Sequence, residues 1–301
     1  LYSTLFFERL ISDYTGSKHV IAVSNGTVAL RLSLFLAGVK ANNEVIIPPL
    51  SFVATANAIS HLGGSPHFVD IDSETLGMCP DYLDRHLIEI AEIKGDEVFN
   101  KITKRKIAAV VPVHVFGLPA KIQEIKKVCL KWNLPLIEDA AEALGSKIKV
   151  ENKLTHCGCF GDIGTISFNG NKIITSGGGG ALLTNDDTFG RLARHLSSTA
   201  KVPHPWDFYH DEIAWNDRLP NINAALGCAE MEKLSSKLRA KRILHTKFKK
   251  SFEDLSNVEI LCEKYNCESN YWLITLRLTG DNVERLRNDI LNDSHKQKIF
   301  L

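Results

Sequence analysis

The sequence predicts an α/β fold, a mostly parallel mixed sheet lying between helices, followed by a smaller C-terminal α+β unit. Three observations carry this. Short apolar runs alternate with amphipathic stretches from His19 to Asn185, four consecutive glycines (177–180) punctuate that alternation, and one long helical pattern opens at Asn221. Alternation of buried strands with helices is the signature of a sheet covered on both faces.

The elements follow in order. Leu5, Phe6, Leu10, Ile11 and Tyr14 fall at helical spacing and stop at Gly16, a C-terminal capping position. HVIAV then reads as a buried strand, TVALRLSLFLAGV as a helix, EVIIPP as a strand, SFVATANAISHLG as a helix and PHFVDI as a strand. The charged segment EIKGDEVFNKITKRK (92–106) reads as an exposed excursion. IAAVVPVHV is the next strand, KIQEIKKVCLKW an amphipathic helix, and PLIEDA a short strand ending in acids. TISF and GALLTN are two more strands flanking the glycine run. From Asn221 to about Asp254 runs one helix, apolar at its start and basic at its end, leading to strands VEIL and YWLITLRL and a helix near DNVERLRNDIL. The expected division is 1–225 for a large domain and 226–301 for the long helix with the start of a small, incomplete one. The opening LYSTLFFERL lacks an initiating Met and a cleavable apolar segment, so the chain is expected to begin mid-protein, and the last unit stops with little to close its sheet, so C-terminal sequence is expected to be missing.

Composition narrows the function. With 44% hydrophobic and 24% charged residues the chain is ordinary globular material, and 36 basic against 35 acidic residues leave no general field for nucleic acid or an anionic membrane. An anionic ligand must therefore be met locally. The seven cysteines contain no C-x-x-C pair, and Cys157-Gly-Cys159 is too tight to bridge comfortably, which predicts free thiols and a cytoplasmic protein. His114, His195, His204 and His210 form no convincing metal-ligand spacing. They are expected to be structural or substrate-side.

Three motifs can carry chemistry. In SFNGNKIITSGGGG, Lys172 lies between Asn-Gly-Asn and the glycine run. A lysine in a partly dehydrated site can bond covalently to a carbonyl, although a solvated loop residue is the plainer reading. In VSNGTVAL, a strand passes into Gly26-Thr27 at a helix start, which suits a phosphate and equally suits an ordinary cap. In IEDAAEALGS, Glu138, Asp139 and Glu142 end a buried strand and call for a cationic partner, an arginine salt bridge being the bland possibility. No G-x-x-x-x-G-K-[ST] is present, and Gly177 to Gly180 precede a strand, so P-loop and dinucleotide motifs are set aside. Pyridoxal phosphate would use all three motifs: a lysine for its aldehyde, a cradle for its phosphate and an acid for its ring nitrogen.

The chain resembles the DegT/DnrJ/EryC1/StrS sugar-nucleotide aminotransferases, fold-type-I pyridoxal-phosphate enzymes with an aspartate-aminotransferase-like fold. The matching motifs are SNGTVAL, PPLSFVATANAI, PHFVDID, VPVHVFG, IEDAAEALGS, SFNGNKIITSGGGGALLTND and RLPNINAALGCAEME, covering most of the chain in order. Within that family it is most similar to the 4-aminotransferases of the legionaminic acid, bacillosamine and perosamine pathways. The resemblance implies that Lys172 bonds the cofactor and shuttles the proton, that Asp139 pairs with the ring nitrogen and that Glu142 lies beside the ring hydroxyl. It further implies that Phe52 stacks on the ring, that Gly26, Thr27 and Ser167 bind the phosphate, and that Asn216 reaches it from the other subunit of a homodimer whose active site lies at the interface.

The reaction so implied moves an amino group from glutamate to C4 of a nucleotide-linked 4-keto-6-deoxy sugar. Lys172 argues against the family's dehydratases, which carry histidine there. A non-catalytic sugar-nucleotide-binding homologue or dimer partner is the alternative, motivated by Trp215-Asn216-Asp217-Arg218, where relatives commonly read Tyr-Asn-Tyr-Arg.

Overall fold

The computed structural model describes residues 2–299; Leu1, Phe300 and Leu301, included in the expected domain bounds, lie outside the described residues. The chain runs through α1 (Tyr2–Thr15), β1 (His19–Val23), α2 (Gly26–Leu36), β2 (Glu44–Ile47), α3 (Val53–Ser60), β3 (Ser65–Phe68) and α4 (Pro80–Ile90). Next come β4 (Ala91–Lys94), β5 (Glu97–Asn100), β6 (Lys106–Val110), α5 (Ile122–Lys131), β7 (Ile137–Asp139), β8 (Lys147–Val150) and β9 (Lys153–His156). The remainder is β10 (Ile163–Ser167), β11 (Gly180–Thr184), α6 (Asp187–Leu196), α7 (Asn221–Phe252), β12 (Val258–Ile260), β13 (Cys267–Glu268), β14 (Leu276–Leu278) and α8 (Val283–Lys296).

Strands β1-β11-β10-β7 form one ladder and β3-β2-β6 another. Parallel bridges Val110 to Leu136 and Val113 to Asp139 join them, so the main sheet reads β1-β11-β10-β7-β6-β2-β3. Only β11 is antiparallel to its neighbours in that series. The α/β expectation is therefore met.

Central strands explain their own composition. Val45, Ile46 and Ile47 of β2 are fully buried because helices cover both faces: Ile46 joins Leu83, Leu87 and Ile125, while Val45 and Ile47 join Leu30, Leu34 and Ile59. Each such side chain contributes about 1.5–3 kcal/mol relative to exposure. Gly16 follows α1 at φ +80°, the left-handed conformation that made it readable as a helix end.

Some expectations need correction. Residues 92–106 are not an excursion: β4 and β5 pair as an antiparallel hairpin, and β5 adds to β6. The charges that suggested solvent lie mostly outside, while Val98 and Asn100 are buried. PHFVDI stops being a strand at Phe68, and YWLITLRL supplies only the short β14. Helices α4 and α6 and the β8–β9 hairpin escaped the sequence reading, although Leu83, Leu87 and Ile90 share a helical face behind Pro80 and Asp186 caps α6. Among the described residues no helix is long and apolar enough to cross a membrane.

Candidate active site

The carboxyl ends of β1, β7 and β10 open toward the N-termini of α2 and α3, where a sheet of this kind receives ligands. A cavity of about 320 Å³ lies there, lined by Gly26, Thr27, Phe52, Asp139, Glu142, Ser167, Lys172 and Trp272, among others. That volume is in the range of small-molecule sites, about 300–1,000 Å³.

At the end of the cavity formed by the α2 turn, Asn25 caps α2: its Oδ1 accepts from the Val28 amide at 2.9 Å. Capping thus belongs to Asn25, and Gly26 and Thr27 occupy the first turn, whose amides have no intrahelical acceptor. Ser167 ends β10 alongside; a Cβ on Gly26 would stand 3.0 Å from its Cβ. The glycine run serves this same corner, since a Cβ on Gly180 would come within 2.5 Å of the Asn25 backbone. The close approach there is to the α2 turn.

The acids divide their tasks. Glu138 is completely buried: its Oε2 accepts from Gly158 N and its Oε1 from Phe160 N and Gly161 N. The Ala120 amide donates to His114 Nδ1, so His114 Nε2–H is the donor to Glu138 at 2.9 Å. Burial alone would raise the Glu138 pKa, but His114 and the backbone amides of Gly161 and Gly158 outweigh it and hold the carboxyl below its ordinary value. Its contribution to stability is accordingly complete above the unfolded carboxylate's pKa and disappears as pH falls through the lower folded one. Glu138→Ala should cost about 3–5 kcal/mol, because a histidine and three amides lose their acceptor, and denaturant titration at neutral pH measures it.

Asp139, at 4% exposure, accepts from Thr55 Oγ1 at 2.7 Å on one oxygen and from Ala141 N at 3.1 Å on the other. Burial raises its pKa against those two bonds and the nearby charge of Lys172. Glu142 is likewise raised by burial; its Oε2 accepts from Phe116 N at 2.7 Å and its Oε1 stands 3.6 Å from Lys172 Nζ. The cationic partner called for is Lys172 at Glu142, while a histidine serves Glu138; the bland possibility of an arginine is not what these acids meet. Lys172 sits at the end of an Asn169–Lys172 turn, and burial lowers its pKa against the raising pull of Glu142 and Asp139. Two raised acids and a lowered amine in one cavity make it the candidate functional site.

Phe52 stands at the rim, 68% exposed, at the N-cap position of α3. Asn216 does not line the cavity; it is exposed and bridges to Ser198. Asp217 forms an ion pair with Arg31, whose guanidinium stacks 4.7 Å from the Trp215 ring centroid, so the acid that replaces an aromatic carries its own counter-charge. Sequence reasoning missed Thr55, which lies within PPLSFVATANAI without a role of its own, and Trp272, which falls inside an expected strand. His195 pairs with Asp211 at 2.6 Å, His210 Nδ1 lies 2.7 Å from Thr199 O, and His204 Nδ1 accepts from Asp207 N. No metal-binding group of three or more His, Cys, Asp or Glu occurs among the described residues, and the seven cysteines are free.

The sequence profile of the DegT/DnrJ/EryC1/StrS aminotransferase family matches residues 3–300. The chain belongs to this family. GDP-perosamine synthase of Escherichia coli O157:H7 is 36% identical over 285 residues, 94% of this chain and 72% of that protein. GDP-perosamine synthase of Caulobacter vibrioides is 34% identical over 95% of this chain and 72% of its own length. Among solved structures, the aminotransferase TlmJ of Streptoalloteichus hindustanus superposes with a TM-score of 0.86 at 26% identity, covering 99% of this chain and 76% of that one. The resemblance read from the motifs, and the fold it implied, are thereby confirmed. The family is one of pyridoxal-phosphate aminotransferases, and the cavity fits that group. Asp139 offers a buried carboxylate with only one donor on each oxygen, and the α2 turn offers first-turn amides.

Proposed function

We propose that this protein is a pyridoxal-phosphate-dependent aminotransferase that takes nitrogen from glutamate and delivers it to C4 of a nucleotide-linked 4-keto-6-deoxy sugar. The observation that carries the reading is the placement of the Lys172 amine in one cavity with the Asp139 carboxylate and the Gly26-Thr27 turn. The GDP-perosamine synthases among its relatives favour a nucleotide-sugar substrate.

When bound, the cofactor supplies an aldehyde for amine exchange and a ring that draws electrons from the substrate carbon. Gly26, Thr27 and Ser167 would hold its phosphate, and Asp139 would keep a proton on its ring nitrogen. Glu142 would serve its ring hydroxyl, and Phe52 would pack against the ring. Lys172 would hold the group covalently, and its amine, when free, would serve as the base and acid that moves the proton at the substrate carbon. A depressed pKa suits this task, because more of the amine is neutral near pH 7.

Residues 1–225 are assigned to the cofactor-binding domain and 226–301 to the long helix and the start of a small C-terminal domain. A second copy of the chain is assigned to the exposed face carrying Asn216, which would complete the partner's phosphate site. The reading of a non-catalytic homologue drew on Asp217; the Arg31 ion pair gives that acid a local structural role instead.

The test is a panel of UDP-, GDP- and dTDP-linked 4-keto sugars incubated with glutamate and the cofactor, with products read by mass spectrometry. One aminated sugar is expected. Bound cofactor without turnover on any sugar would favour the binding role.

A further inference from the structure

We propose that Trp272 is a positioning residue for Lys172: its indole face holds the ammonium whenever that amine is not covalently engaged, and its ring N–H pins the turn that carries the lysine. The inference rests on the reading of Lys172 as the covalent group. Trp272 is 8% exposed, and its ring centroid stands 3.8 Å from Lys172 Nζ. Its indole N–H donates to the Asn171 carbonyl at 2.6 Å, so the ring edge is committed and the face is left for the cation.

The placement is built rather than incidental. Asn270, 1% exposed, donates from Nδ2 to the carbonyls of Glu142 at 2.7 Å and Leu144 at 2.9 Å, while its Oδ1 accepts from the Trp272 amide at 2.8 Å. The Asn270 amide donates to Ser146 Oγ at 2.9 Å, and Ser146 and Ser269 hydroxyls both donate to the Gly117 carbonyl. Gly117 must be glycine, since an added Cβ would collide with Asn270 Oδ1. One latch therefore ties Trp272 to the segment that carries Glu142. The lysine amine lies between that segment's carboxylate and the indole.

The charged groups facing the amine are Glu142 and Asp139, both able to take its proton. An indole face is not. It stabilises the cation without competing for the proton, which leaves the ammonium ready to deliver it to the substrate.

Leucine at 272 removes both the π face and the hydrogen bond to Asn171, whereas phenylalanine removes the bond and keeps a face, so the two variants together isolate the face. The experiment treats cofactor-free protein with limiting acetic anhydride from neutral to about pH 11 and follows acetylation of Lys172 by peptide mass spectrometry. Trp272→Leu should lower the midpoint of reactivity by about half a unit to one unit. Trp272→Phe, which retains a weaker face, should recover at least half of the loss. Should the leucine variant not fold, the phenylalanine variant decides alone through a smaller downward shift. A midpoint unchanged or raised in the folded variants overturns the proposal and reduces Trp272 to a wall. The visible absorption of cofactor-loaded wild type is recorded in parallel: its absence removes the covalent role of Lys172, while the acetylation profile still reports on the tryptophan.

Discussion

Lys172→Ala should abolish amino transfer, with kcat lower by at least about 10³-fold, since the residue proposed as both covalent anchor and proton-transferring group is lost. Cofactor should still bind through the α2 turn and Asp139, but borohydride should no longer fix its mass on the peptide containing residue 172. Lys172→Arg should be equally inactive despite conserving charge, because a guanidinium neither loses its proton near neutral pH nor attacks an aldehyde. Methylamine should restore part of the activity to the alanine variant by supplying an amine that the cavity can admit. Stability moves less. Glu142 loses its cationic neighbour at 3.6 Å but keeps the Phe116 amide, and its carboxyl, already raised by burial, can take up a proton instead. Unaltered turnover in the alanine variant would remove Lys172 from the chemistry.

The second large effect is expected from Asp139→Asn. An amide of the same shape keeps the Thr55 hydrogen bond in one orientation, yet it carries no charge to hold a proton on the ring nitrogen. Truncating a buried hydrogen-bonded charge pair costs about 2–5 kcal/mol, which corresponds to roughly 30- to 5,000-fold in rate when the pair acts in the transition state. The loss should fall on kcat more than on KM. The bound cofactor's visible spectrum should also change its pH dependence, because its ring nitrogen would titrate against water instead of a buried anion. An asparagine variant within about threefold of wild type, with the same spectrum, would contradict the assignment of Asp139.

Much of this site was legible because each piece is locally encoded. Gly-Thr after a buried strand, acids at a strand end and a lysine beside glycines are short-range statements, and together they name the cavity's main walls. The 92–106 segment was misread for a related reason. Its charges report solvent on one face, while the inward turn of Val98 and Asn100 depends on β6 lying alongside. Thr55 was hidden because a threonine in the first turn of a helix has an ordinary capping meaning. Only the 2.7 Å approach of Asp139 gives it another.

By itself the sequence determined many of the elements, the family and the candidate residues for chemistry, because hydrophobic periodicity and turn chemistry act over a few positions along the chain. Tertiary structure decided the rest: that β1 lies against β11 far along the chain, that Asn25 and not Thr27 caps α2, and that Asn270 brings Trp272 over the lysine. These contacts join residues distant in sequence, selected by burial and by the pairing of buried polar groups, and no local pattern records which distant partner will satisfy them.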